Sequence, residues 1–323
     1  MKWSSAVSTA PRLGDAIAET AARVRRELGD VAPDLAVVFV SPHHEAGYDA
    51  VPELVQVGLE CRTLLGCSAG GVIGGGHEVE EAAGFSLTAA VLPDVAVTPF
   101  HASEPTPPDL PADAAPQFVI CPEPFSFDAE SFVHALDHRF PVSTVVGGVA
   151  SGARQPGQNA LFLDRTVHRS GLVGVALTGN VVIDTIVAQG CRPIGEPLFV
   201  TRAERNLLQE VDGRSPAAVL ADLHRRASPR DRELFRNSLF LGIVMREQQE
   251  YRQGDFLIRN VLGLDGKTGA VAVGALLRPG MVVQFHLRDA RTSAEDLDAM
   301  LGRYGGTAMG SLLFSCLGRG LHL

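Results

Sequence analysis

Apolar and polar positions follow two different periods along the first hundred residues. Over 12–28 apolar residues recur every three or four positions, which predicts an amphipathic helix, whereas 34–40 (DLAVVFV) is a short run typical of a buried strand. A helix at about 50–60, a strand at 61–65 and a strand pair at 85–92 and 95–101 follow. This order predicts an α/β (α+β) fold with a mixed sheet flanked by helices.

The same pattern occurs again after a proline-rich connector at 103–116. A strand, a helix and a second strand lead into GGVASG (147–152), as the earlier elements lead into GCSAGG (66–71), and 171–177 with 181–187 corresponds to the closing strand pair. Gly66 and Gly147 are 81 positions apart. We therefore predict a first domain at 1–195 that duplicates one β-α-β-β-β unit, with halves at about 1–102 and 117–195.

The remaining residues, 196–323, predict a second α/β domain with antiparallel strands. Ser215 and Ser228 each precede a proline and have the pattern of helix N-caps, and Thr292 with Glu295 has the spacing of a capping box. Five apolar stretches are the expected strands: 239–245, 256–264, 269–277, 281–287 and 311–317.

Composition and charge limit the class of protein. The chain has 323 residues, of which 46% are hydrophobic and 20% charged, as in globular proteins. A net charge of -9 disfavours nucleic acid as a partner. The five cysteines contain no Cys-x-x-Cys pair, which favours free thiols in a reducing compartment. No signal peptide and no spanning apolar run is evident. We therefore expect a cytoplasmic protein without a membrane partner.

The two glycine motifs are the main candidate site. GCSAGG matches G-x-S-x-G, so Ser68 or the neighbouring Cys67 could be the nucleophile of a hydrolase. A nucleophile elbow is followed directly by a helix, however, and the residues after GCSAGG show no helical period. A tight structural turn is one interpretation, and an anion site built from successive backbone N–H groups is the other. Two such turns could converge on one ligand. The candidate ligand-binding residues are Cys67, Ser68, Ala69, Gly70 and Gly71 in the first turn, and Gly147, Gly148 and Ser151 in the second.

Two further pairs of polar residues stand in apolar surroundings. Arg259 and Asn260 interrupt FLIRNVLGL, where a guanidinium needs an acidic partner or a ligand carboxylate, and both alternatives remain open. Cys316 and Arg319 lie in FSCLGRG, where the arginine could lower the pKa of the thiol. A small buried hydrophobic residue is the commoner role of a free cysteine. We include all four residues in the candidate ligand site.

The residues themselves predict no metal or cofactor. His134 and His138 are four positions apart, but the apolar face of their helix leaves both histidines towards solvent. The fingerprints of nucleotide-binding loops are absent. A motif for covalent haem attachment is also absent. A haem could therefore be bound only non-covalently, through a single histidine or cysteine.

Four long motifs in order resemble the FIST family (F-box and intracellular signal transduction proteins). They are GCSAGGVIGGGHEVEE, FLIRNVLGLDGKTGAVAVG, VQFHLRDARTSAEDL and FSCLGRG, and the similarity covers the FIST N-terminal and C-terminal domains. It implies a bacterial sensory module that binds an amino acid or a similar small anion. Some bacterial members are haem-based nitric-oxide sensors.

The resemblance also bears on partners and on the end of the chain. No output segment is present, so signalling would pass through a separate effector protein. Eukaryotic members occur in F-box receptors, which implies a protein-interaction scaffold as an alternative. A hydrolase is the other alternative, and we favour a non-enzymatic function. Members usually continue beyond FSCLGRG, so we expect the C-terminal domain to lack its last strand.

Overall fold

The computed structural model describes residues 1–29, 31–245, 251 and 254–319. The last glycine of FSCLGRG, Gly320, lies outside the described residues. The chain forms two compact units: residues 1–185 together with the segment that begins at residue 307, and residues 186–306. The predicted domain boundary at residue 195 lies within a strand of the second unit, Cys191–Glu204.

In its described residues the first unit contains two large β-sheets, which lie between layers of helix, and a small two-stranded sheet. Its helices are Leu13–Leu28 (α1), Val51–Leu59 (α2) and Ala129–Arg139 (α3). Its strands are Lys2–Ser8 (β1), Leu35–Val40 (β2), Thr63–Ser68 (β3), Gly71–Gly74 (β4), His77–Glu80 (β5), Phe85–Val91 (β6), Val95–Ala102 (β7), Gln117–Pro122 (β8), Val145–Gly147 (β9), Leu161–Leu163 (β10), Thr166–His168 (β11) and Leu172–Gly179 (β12).

The two large sheets of the first unit share one strand order. Among the described residues one sheet runs β1-β6-β2-β3-β10-β11 and the other β7-β12-β8-β9, so the first four strands of each have the same connectivity. In both halves the strand pair that flanks the helix is parallel, β2 with β3 and β8 with β9, while β6 and β12 are antiparallel to their neighbours. The structure therefore has the mixed α+β fold expected from the sequence.

Three apolar clusters hold these layers together. One packs the first sheet against α1 and α2, one lies between the two sheets, and one packs the second sheet against α3. Helix α1 buries Ile17, Ala21 and Val24 on a single face because their three- and four-residue spacing keeps them on one side of the helix. Strands β3 and β9, which lead into the two glycine turns, therefore belong to sheets that are packed on both faces.

The pairing predicted for 85–92 with 95–101 and the strand predicted at 181–187 were wrong, although both strands of the first pair are present. Strands β6 and β7 are consecutive but do not form a hairpin: β6 pairs with β1 and β2, whereas β7 pairs with β12 in the other sheet. The chain changes sheet at Asp94, which has a positive φ of 61°. The predicted strand at 181–187 is irregular, and its apolar residues Val181 and Ile183 instead pack against the core between the sheets.

The second unit is a closed β-barrel with helices outside it. Its strands are Cys191–Glu204 (β13), Leu207–Val211 (β14), Leu239–Val244 (β15), Phe256–Leu264 (β16), Val271–Val273 (β17) and Val282–Arg288 (β18), and its helices are Pro216–Arg226 (α4), Pro229–Asn237 (α5) and Ala290–Arg303 (α6). In the described residues the strands close in the order β13-β14-β17-β16-β15-β18. Neighbouring strands are antiparallel, as predicted.

The ends of two elements in the C-terminal part differ from the prediction. Helix α6 begins earlier than the capping-box spacing indicates, because the side chain of Asp289 is the N-cap and accepts a hydrogen bond from the Thr292 N–H. The stretch 311–317 is not a strand: its residues are irregular, and a short 3-10 turn covers Leu317–Arg319.

Candidate functional site

The two glycine turns meet in the first unit. Each follows the carboxyl end of a parallel strand, β3 or β9, and the two sheets bring those ends together. The N–H of Gly70 donates to Oγ of Ser151 over 3.1 Å, and the N–H of Ser151 donates to the carbonyl of Ser68 over 3.1 Å. Gly70 and Ser151 are 81 positions apart, so this hydrogen bond joins equivalent residues of the two halves.

Close backbone approach explains why glycine occupies two positions of the second turn. Gly147 has a φ of 151°, and a Cβ there would lie 1.9 Å from the carbonyl oxygen of Ile120. A Cβ at Gly152 would lie 2.5 Å from Cβ of Ser68, on the opposite turn. Any side chain at these positions would separate the turns or the strands that carry them.

A buried chain of polar side chains lies beneath the turns. Oγ of Ser68 donates to Oδ1 of Asn159 over 3.0 Å, and Nδ2 of Asn159 donates to Oε1 of Glu123 over 3.0 Å. The other carboxyl oxygen of Glu123 accepts from Oγ of Ser126 at 2.7 Å and from the Phe125 N–H. Ser68, Asn159 and Glu123 are fully buried. This network ties the end of β3 to the end of β8.

Sequence reasoning missed Asn159 and Glu123. The available signal was an acidic residue between two prolines directly after the apolar strand FVIC. A carboxyl group at the end of a buried strand must find hydrogen-bond donors. The position of its donor, Asn159, follows only from the packing of the two sheets.

Ser68 and Cys67 are both poorly placed for nucleophilic chemistry. Ser68 is inaccessible to solvent, and its hydroxyl also accepts from the Ala160 N–H at 3.0 Å. The motif GCSAGG is followed by the hairpin β4–β5 and not by the helix of a nucleophile elbow. A hydrogen bond with the thiol of Cys121, together with burial, raises the pKa of Cys67 well above its ordinary value. The thiolate form that attacks a substrate is therefore disfavoured.

The segment 307–319 contacts Trp3 of β1 and, further along, the two glycine turns. A Cβ at Gly310 would lie 2.3 Å from the indole ring of Trp3, so this glycine rests directly on the ring. The ring of Phe314 contacts Phe39 edge-on, with centroids 6.0 Å apart, and is 3.1 Å from the position of a Cβ on Gly148. Among the predicted site residues, Cys316 and Arg319 belong to this segment, and the structure leaves Cys316 exposed, not buried.

Leucine side chains complete the attachment of this segment. Leu317 is 2.9 Å from the position of a Cβ on Gly70. Leu312, like Phe314, packs against the apolar core between the sheets. Within the described ranges the backbone of 307–315 makes no hydrogen bond to the rest of the unit, so side-chain packing holds it in place.

Arg259 and Asn260 lie on β16 of the barrel, in the second unit. Arg259 is half-buried, and its Nη1 donates to the carbonyl of Ile258 over 3.3 Å. In the described part of the chain it forms no ion pair with a carboxylate. Asn260 is exposed, and its carbonyl accepts from the Gly274 N–H. Their part in a ligand site stays a prediction.

Three cavities of the first unit lie away from the turns. The largest, about 610 Å³, is lined by Asp34, Arg62 and the β6–β7 connection. The second, about 570 Å³, lies along His101 and the proline-rich connector, and the third, about 280 Å³, beside Leu28 and Leu59. None of these three is lined by residues of the glycine turns.

The histidine, cysteine and acidic side chains bear on metal and haem binding. The described part of the chain contains no cluster of three His, Cys, Asp or Glu side chains suited to a metal ion. His44 is buried, its Nε2 has no hydrogen-bond partner among the described residues, and burial together with His43 lowers its pKa. His44 lines none of the three cavities, and non-covalent haem stays a prediction. His134 and His138 are exposed, as their spacing predicts.

The fold and the converging turns define a two-unit α+β protein whose first unit is internally repeated. The FIST N domain model matches residues 34–214 and the FIST C domain model matches residues 216–323. The chain therefore belongs to the FIST family, whose domains are associated with sensing in signal transduction. None of the described helices is both long enough and apolar enough to cross a membrane.

Mycobacterial proteins are similar over the whole chain. This chain is 38% identical to the uncharacterized protein Rv0628c of Mycobacterium tuberculosis over an alignment of 341 residues, which covers 100% of this chain and 87% of the relative. It is 34% identical to the uncharacterized protein Mb0898c of Mycobacterium bovis over 342 residues, which span 100% of this chain and 86% of the relative.

Proposed function

We propose that this protein is a cytoplasmic sensory module that binds a small anionic ligand, an amino acid or a similar carboxylate, where the two glycine turns meet. It would act through a separate signalling protein. The observation that carries this proposal is the hydrogen bond between Gly70 and Ser151, which joins equivalent positions of the two halves. Duplicated turns that meet at equivalent residues can offer backbone donors to one ligand from both sides.

The donors available at this junction support an anionic ligand. The peptide N–H groups of Val149 and Gly152 have no hydrogen-bond acceptor within the described residues. The N–H of Gly70 is bonded to a serine hydroxyl, which a carboxylate oxygen of a ligand could replace because a charged acceptor forms the stronger hydrogen bond.

A thermal-shift screen followed by calorimetry tests this proposal. The panel contains the standard amino acids, small mono- and dicarboxylates, inorganic phosphate and haemin. A ligand at a hundred times its dissociation constant stabilises the folded state by about 2.7 kcal/mol, which raises the melting temperature by several degrees.

The variant S151A removes the hydroxyl that holds the Gly70 N–H, and we expect it to change ligand affinity. The matched control is S131A, on the surface of α3. The proposal is wrong if no compound of the panel shifts the melting temperature. It is also wrong if S151A and S131A bind the best compound equally well.

A further inference from the structure

We propose that residues 310–317 form a displaceable cover, whose second half lies over the two glycine turns, and that a ligand of the turns and the docked cover compete for one surface. Phe314 and Leu317 occupy the space directly over Gly148 and Gly70. A ligand that reaches the backbone of both turns must therefore move these side chains. The inference rests on the proposed function for the identity of the site, but movement of the cover is measurable without any ligand.

The way in which the cover is attached favours its release. The segment has no helix or strand before the short turn at Leu317–Arg319, and its backbone between 307 and 315 makes no hydrogen bond to the unit within the described ranges. Segments whose backbone is not hydrogen-bonded to the rest of the fold open locally at a lower cost than global unfolding.

Glycines precede the cover and leave its backbone free to move. Gly305 and Gly306 stand between the end of α6 and the first residue that contacts Trp3, and a Cβ at Gly305 would meet nothing within 4 Å. Glycine has the largest conformational freedom of any residue in a released chain. A released cover would expose the apolar side chains of Leu312 and Phe314, which gives a signalling partner a surface that is absent in the closed state.

The chain contains a natural reporter for this movement. Trp3 is the single tryptophan of the sequence, and Gly310 lies against its ring. The variant G310A introduces a methyl group into that contact, so we expect a red-shifted Trp3 emission and stronger quenching by acrylamide, with unchanged far-ultraviolet circular dichroism. The matched control, G305A, lies in open space and should behave as the wild type.

A disulfide can fix the cover in place. A Cβ at Gly148 would lie 3.9 Å from Cβ of Phe314, which is within the range of about 3.5–4.5 Å found in disulfides. In the oxidised double variant G148C/F314C we expect weaker quenching of Trp3 than in the wild type, and reduction should reverse the change. A ligand found in the screen should bind the oxidised form more weakly than the reduced form, with a dissociation constant that is at least about tenfold higher.

Two results would overturn the proposal: equal quenching of Trp3 in G310A and G305A, or equal quenching in the oxidised and reduced double variant. If G310A does not fold, L317A replaces it, since the Leu317 side chain is 45% exposed and its truncation is tolerable. A screen that finds no ligand would contradict the proposed function, but it would leave the result of the quenching experiment unchanged.

Discussion

Removal of the Asn159 amide should destabilise the first unit more than any comparable surface change. The side chain is fully buried and connects the hydroxyl of Ser68 to the carboxyl group of Glu123 through two hydrogen bonds of 3.0 Å. N159A leaves one buried carboxyl oxygen without its donor, at a cost of about 2 kcal/mol, and one hydroxyl without its acceptor, at about 1 kcal/mol. We therefore expect a loss of about 3 kcal/mol in the free energy of unfolding.

Urea unfolding followed by circular dichroism measures this loss, with N180A as the matched control. Asn180 is exposed, so its truncation should change the free energy of unfolding by less than about 0.5 kcal/mol. S68A alone should cost about 1–3 kcal/mol. The double variant N159A/S68A should cost less than the sum of the single variants, because both remove the same hydrogen bond. A loss in N159A that equals that of N180A would refute the network.

Three further predictions concern thiols, a turn and a histidine. In the native protein at pH 8 a thiol reagent should modify Cys316 alone, because the other four cysteines are buried, whereas all five should react in urea. Rapid modification of two or more cysteines in the native state would contradict their burial. G147A should lower the free energy of unfolding by about 3 kcal/mol or more, because its Cβ meets a backbone carbonyl, while the unobstructed G14A should not; equal urea midpoints would refute the close approach. Burial and a stacked neighbouring imidazole lower the pKa of His168, so the folded state binds its proton less readily than the unfolded chain, and stability should fall as the pH drops below about 6.5. In H168F this loss between pH 6.5 and 5 should be smaller, and an unchanged pH profile of the urea midpoint would contradict it.

Local patterns gave most elements of the fold, but not their pairing. The period of apolar residues predicted α1 and the run DLAVVFV predicted β2, because each depends on which faces of a short segment are buried. Pairing depends on distant parts of the chain. Strands β6 and β7 are adjacent in sequence, as in a hairpin, but they lie in different sheets. In the second sheet β7 pairs with β12 at the edge, as β1 pairs with β6 in the first sheet.

The candidate site was predictable to a similar extent. The two glycine motifs indicated equivalent turns, since glycine after a buried strand marks a close backbone approach. Their contact through Gly70 and Ser151 is a long-range property of packed sheets, and so is the buried Asn159–Glu123 pair. The apolar run 311–317 has the composition of a strand, but its side chains pack over the turns without backbone pairing.

Hydrogen-exchange mass spectrometry with and without the best compound of the panel tests the central claim most directly. If the junction of the turns is the ligand site, the ligand should slow exchange in peptides that contain 67–71 and in peptides that contain 147–152, both in one experiment. Protection confined to any other part of the chain, or to one turn alone, would contradict a site shared by the two halves.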